Sequence, residues 1–96
     1  MHAVLIEVDT SGQPDREAGL QFLREQIVPR VSQSPGFQAG YWLRPLDDAK
    51  GTSLVLFDSE ENANAASQDL GVGASPAPGV SVIRKEVREV VASASA

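Results

Sequence analysis

Apolar residues alternate with polar ones at a period of two in four stretches of this 96-residue chain, and recur every three or four residues in two others. In the first stretch, HAVLIEVD (2–9), Val4, Ile6 and Val8 share one face of a strand, while Ala3 and Leu5 make the other face apolar as well. TSGQPD is a turn, with Pro14 expected at the first helical position and Asp15 and Glu17 where the helix dipole favours anions. The helix should run to about Ser32, with Leu20, Leu23, Ile27 and Val31 as one stripe, Phe22 beside it, and a kink at Pro29. After the Pro35-Gly36 turn comes a second strand, FQAGYWLRPL. Regular alternation there sets Phe37, Ala39, Tyr41 and Leu43 against Gln38, Gly40, Trp42 and Arg44, and Gly40 leaves space beside Trp42.

Asp47, Asp48 and Gly51 supply hairpin chemistry before a third strand, TSLVLFD, with Val55 and Phe57 on one face and Leu54 and Leu56 on the other. Ser59 opens a second helix through ENANAASQDL, one residue type short of a capping box at Asn62, with Ala63, Ala66 and Leu70 on one face. GVGASPAPG is a loop. GVSVIRKEVREVVA is a fourth strand ending near residue 91, whose alternation slips after Arg84, as a β-bulge requires, and SASA is a frayed tail.

The order β-α-β-β-α-β predicts an α+β fold, a four-stranded antiparallel sheet with both helices on one face, as a single domain over 1–96 with an ordered core of about 2–91. Roughly 64% of the unfolded surface of so short a chain is buried on folding. Helices cover one face of the sheet, yet strands one and three are apolar on both. The simplest cover for the second face is another copy of the chain, sheet against sheet; a monomer with a shallow apolar cleft is the alternative.

Composition removes several functions. A net charge of −5, with eight Lys and Arg in no cluster, argues against a phosphate-binding groove for nucleic acid. With no Cys there is no disulfide, thiol nucleophile or thiolate metal site, which fits a cytoplasmic protein. No run approaches a membrane span, and Glu7 and Asp9 interrupt the apolar start where a signal peptide would continue. GVGAS lacks the dinucleotide fingerprint, and a single His makes an acyl-transfer triad or a metal site improbable.

The segments REQIVPRVSQSPGF before GYWL, and LVLFDSEENANAA, resemble the dimeric α/β-barrel superfamily, in particular its antibiotic-biosynthesis-monooxygenase-like group. The resemblance covers roughly residues 2 to 91. It implies ferredoxin-like subunits paired through their sheets into a barrel, each with a pocket between sheet and helices. Members include cofactor-independent oxygenases acting on polycyclic phenols, haem-degrading enzymes and isomerases. The pattern of the haem-degrading members does not carry over: strand one has no Asn, Phe57 stands where they have Trp, and Ala66 where they have the haem-ligating His.

Weak catalytic candidates are therefore Trp42, Arg44, Tyr41 and Glu7. Trp42 and Tyr41 point to opposite faces of a regular strand, so at most one faces the pocket; packing in a core or interface accounts for either. Arg44, on the face of Trp42, suits a phenolate or carboxylate, or an ion pair with Asp47 or Asp48. Glu7 is a base if buried, or an ion-pair partner of Arg84 or Arg88; His2, beside the terminus, is expected at the surface. The pairs Asp47-Asp48 and Glu60-Glu61 are solvated turn and helix-start acids. The functional expectation is a cofactor-independent monooxygenase for a phenolic or quinol-type aromatic, with no bound cofactor or metal; the alternative is a non-enzymatic, ligand-binding or stress-related accessory dimer. An isomerase or lyase using Glu7 or His2 is a third, weaker reading.

Overall fold

The structure, a computed structural model, describes residues 1–45 and 50–96. It comprises β1 (His2–Asp9), α1 (Arg16–Phe22), a π-helical turn (Leu23–Ile27), α2 (Val28–Ser32), β2 (Phe37–Leu43), β3 (Lys50–Phe57), α3 (Glu60–Ser67) and β4 (Ser81–Glu89). All pairings are antiparallel, in the order β2-β3-β1-β4. This is the ferredoxin-like arrangement. The hairpin residues Asp47 and Asp48 lie outside the described residues. No described helix is long and apolar enough to cross a membrane.

Local chemistry explains where the elements begin and end. Helix α1 starts at Arg16, two residues later than Pro14 suggests, because the Asp15 carboxylate accepts from the amides of Glu17 (2.9 Å) and Ala18 (3.3 Å) and so acts as the cap. At α3, Ser59 Oγ accepts from Asn62 N (3.1 Å), and the Asn62 amide donates to Asp58 Oδ1 (2.7 Å) where a capping-box Glu would turn to the cap. That helix stops at Ser67, short of the expected Leu70: the Ser67 carbonyl accepts from Lys85 Nζ and from the Leu70 amide, which closes a tight last turn.

The core is the helix-facing side of the sheet, built from Val4, Ile6, Val55, Phe57, Ala63 and Val82, with Ala66 and Leu70 packed against it. Two bulges set its register. One falls at Gln38, so Phe37 does not share a face with Ala39, Tyr41 and Leu43 as regular alternation requires; it turns inward and meets Phe57 edge to face at 6.3 Å. The other falls at Ile83, one residue before the expected slip, where Glu7 pairs with Arg84 but Val8 pairs with Val82. At the entry to β2, Gly36 (φ 78°) holds a left-handed turn against Asp58, whose amide donates to the Gly36 carbonyl at 2.9 Å.

The outer face carries Ala3, Leu5, Leu54, Leu56, Tyr41 and Leu43, with Glu7, Arg84, Glu86 and Arg88 towards the β4 edge. Tyr41 and Leu43 are 57% and 58% exposed. The expected pairing of Glu7 with Arg84 or Arg88 is not made. Both arginines turn to Glu86 instead, at 2.9 and 2.8 Å, because Glu86 stands between them on the same face of β4. These contacts, that of Arg88 first, hold the Glu86 carboxyl below the usual range. Its pairing is thus intact above the ordinary Glu range and fades as pH falls through the lowered value. In a chemical-shift titration Glu86 should titrate below an ordinary Glu, and Arg88→Gln should bring the midpoint back up while the fold persists.

Candidate functional site

Between the helix-facing side of the sheet and the rod formed by α1, the π turn and α2 lies an open cleft of about 930 Å³. It exists because the rod settles onto the sheet only at its end, where α2 meets β2 and Val31 packs against the core: none of the rod's residues is buried, whereas α3 packs against β1, β3 and β4. The predicted stripe Leu20, Leu23, Ile27 and Val31, with Phe22 beside it, lines this gap. Within this stretch the ladder widens to a π turn, its closing amide, Val28 N, donating to the Leu23 carbonyl five residues back. Pro29 follows directly and has no amide to donate to the Glu25 carbonyl, so the irregularity falls where the ladder is already broken.

Opposite the rod, the sheet contributes Ile6, Val8, Ser53, Val55 and Trp42. The Trp42 ring lies against Gly40, where a side-chain carbon would come within 2.8 Å of ring atom Cη2 and 2.9 Å of Cζ3. The space that the sequence provides beside Trp42 is therefore filled by the indole itself. Arg44 lines the same cleft. Of the four candidate residues, the fold thus brings Trp42 and Arg44 together at the cleft; Tyr41 and Glu7 lie on the opposite face of the sheet.

The cleft has members that the sequence reading did not select: Arg16, Arg24 and Lys50. Arg16, Leu20 and Arg24 are four residues apart, a spacing that already marks one helical face; nothing local marks Lys50, which arrives through the pairing of β3 with β1. Among the described residues, every charged side chain on the cleft is a cation. His2 stands at the start of β1, off the cleft and partly covered, with Nε2 3.7 Å from Glu60 Oε2 and Nδ1 buried without a partner.

No family model matches the chain, and no curated protein is similar to it. Solved structures are similar to it, among them two of MhuD. One is an arginine-to-serine mutant of MhuD with two manganese protoporphyrin IX molecules bound per active site, at TM-score 0.63 and 18% identity over the whole of both chains. The other is MhuD, the haem degrader of Mycobacterium tuberculosis, with two haems bound in its active site, at TM-score 0.60 and 20% identity over 99% of this chain and 100% of that one. The chain has the fold of MhuD. At such identity the likeness is one of fold alone.

The side chains here do not fit haem iron. The chain's single His, Tyr and Met are His2, Tyr41 and Met1, it has no Cys, and none of the three lines the cleft. Among the described residues no three His, Asp or Glu gather to hold a metal ion. Because Gly40 underlies Trp42, Gly40→Ala should drive the indole outward into the open cleft. The expected result is a red-shifted Trp42 emission with an unchanged far-ultraviolet circular dichroism spectrum.

Proposed function

We propose that the cleft binds a large, flat aromatic compound of the polycyclic phenol or quinol type and presents it to dioxygen, as a monooxygenase whose substrate supplies the reducing electrons. The observation that carries this reading is the open apolar cleft of about 930 Å³ walled by Trp42 and Arg44. That volume lies at the upper end of small-molecule sites, roughly 300–1,000 Å³, and calls for several fused rings. The binding of haem by MhuD points to the same size class.

In this scheme Trp42 stacks on the substrate ring, and Arg44 favours the ionised hydroxyl and so raises the electron density available to dioxygen. Phe22, Leu23 and Ile27 exclude water once the ligand fills the gap. For a reactive ring methylene the balance is complete: one oxygen atom becomes the ring carbonyl, the other leaves as water with the two methylene hydrogens. The carrier alternative, binding without turnover, rests on the same cleft. A second copy is the proposed cover for the outer face, where Tyr41 and Leu43 are exposed beside Leu5, Leu54 and Leu56.

Titration of the single Trp42 with hydroxylated anthrones should give saturable quenching, with one dioxygen consumed per anthrone oxidised. Trp42→Ala and Arg44→Gln should each lower that uptake about tenfold or more. Quenching without uptake favours the carrier, and no quenching by any flat aromatic overturns both readings. In sedimentation the chain should run as a dimer at micromolar concentration, and Leu54→Glu should split it; a monomeric parent chain excludes the second copy.

A further inference from the structure

The charges on the cleft are one-sided in a way that the composition does not explain. Thirteen Asp and Glu outnumber eight Lys and Arg, yet four of those eight cations, Arg16, Arg24, Arg44 and Lys50, line the cleft, and none of the described carboxylates does. Three other cations have evident employment elsewhere. Arg84 and Arg88 share Glu86, and Lys85 donates to the Ser67 carbonyl at the end of α3. By contrast, Arg16, Arg24 and Arg44 have no carboxylate partner among the described residues, and Lys50 stands across the strand from Asp9. Their placement is also grouped. Arg44 and Lys50 belong to the end of the sheet where β1 stops, and Arg16 opens the helix that follows β1.

Guanidinium groups with no carboxylate partner among the described residues, set around an apolar, low-dielectric cavity, favour a ligand that brings its own negative charge, and their planar forks suit carboxylates. The cleft meanwhile offers no His, Tyr, Met or Cys to a metal centre. Resting on the function proposed above, we infer that the cleft selects polycyclic aromatics that carry carboxylate groups, held by Arg16, Arg24, Arg44 and Lys50, and does so regardless of whether the ring system contains a metal. The rings occupy the apolar gap and the carboxylates stay at the cationic end. Specificity then resides in the charged edge of the ligand.

The test uses the full chain, with Trp42 quenching as readout and two pairs of probes. Anthraquinone-2-carboxylate should bind about tenfold more tightly than anthraquinone-2-carboxamide, the gap narrowing as salt rises. Arg16→Gln and Arg24→Gln, both at exposed positions, should each weaken the carboxylate about three- to tenfold and leave the carboxamide unchanged. Metal-free and iron protoporphyrin IX should bind within about threefold of each other. Equal affinity for the two anthraquinones overturns the inference while the aromatic-binding reading stands. Iron protoporphyrin binding more than about tenfold tighter than the metal-free ring overturns the indifference to metal. Failure of all four probes to bind overturns the inference together with the function on which it rests.

Discussion

A helix that faces the sheet across a gap its own side chains do not close is the feature on which this protein's properties turn. The apolar stripe Leu20, Leu23, Ile27 and Val31 points inward, yet no residue from Arg16 to Ser32 is buried. Exposed apolar area of this kind is a standing cost of about 25 cal/mol for each Å², recovered when something apolar fills the space. The chain tolerates the gap because its stability is sited elsewhere. Val4, Ile6, Val55, Phe57 and Val82 close against Ala63 of α3, and the rod adds to them the half-buried Val31.

The rod keeps its direction through an irregularity. Five residues in a π turn, followed at once by a proline, interrupt a seventeen-residue helical stretch whose apolar stripe still faces the sheet. The same turn contains Leu23, Arg24 and Ile27, two apolar walls and one cation of the cleft.

Most of the architecture could be read from the chain, because the period of its apolar residues differs between elements and turn chemistry marks their ends. The element order, the two-faced strands β1 and β3, the stripe on the first helix and the Ala63-Ala66-Leu70 face are all present in the fold. Register was harder. A bulge at Gln38 reverses the side taken by Phe37, and no local residue pattern announces it; the reversal is rewarded only by Phe57, twenty residues on. Glu86 outcompetes Glu7 for the two arginines because neighbours two apart on a strand share a face, a short-range fact the cross-strand expectation overlooked. The site was legible in part. Trp42 and Arg44 follow from strand parity, whereas Arg16 and Arg24 needed recognition that the helical stripe contains charge, and Lys50 needed the sheet pairing itself.

The two faces of the sheet meet their surplus apolar surface in different ways, and the difference follows from charge. On the outer face the two arginines of β4 share the single Glu86 carboxylate at one edge, beside Tyr41, Leu43, Leu5, Leu54 and Leu56, a surface whose natural complement is apolar. On the inner face Arg16, Arg24 and Arg44 have no carboxylate partner among the described residues, so the complement that suits the gap is apolar and anionic at once. A protein surface rarely offers that combination in a flat, narrow shape, whereas an acidic polycyclic molecule does. Pairing of arginines within one strand therefore separates a surface suited to another chain from a cleft suited to a small ligand, although both belong to the same four strands.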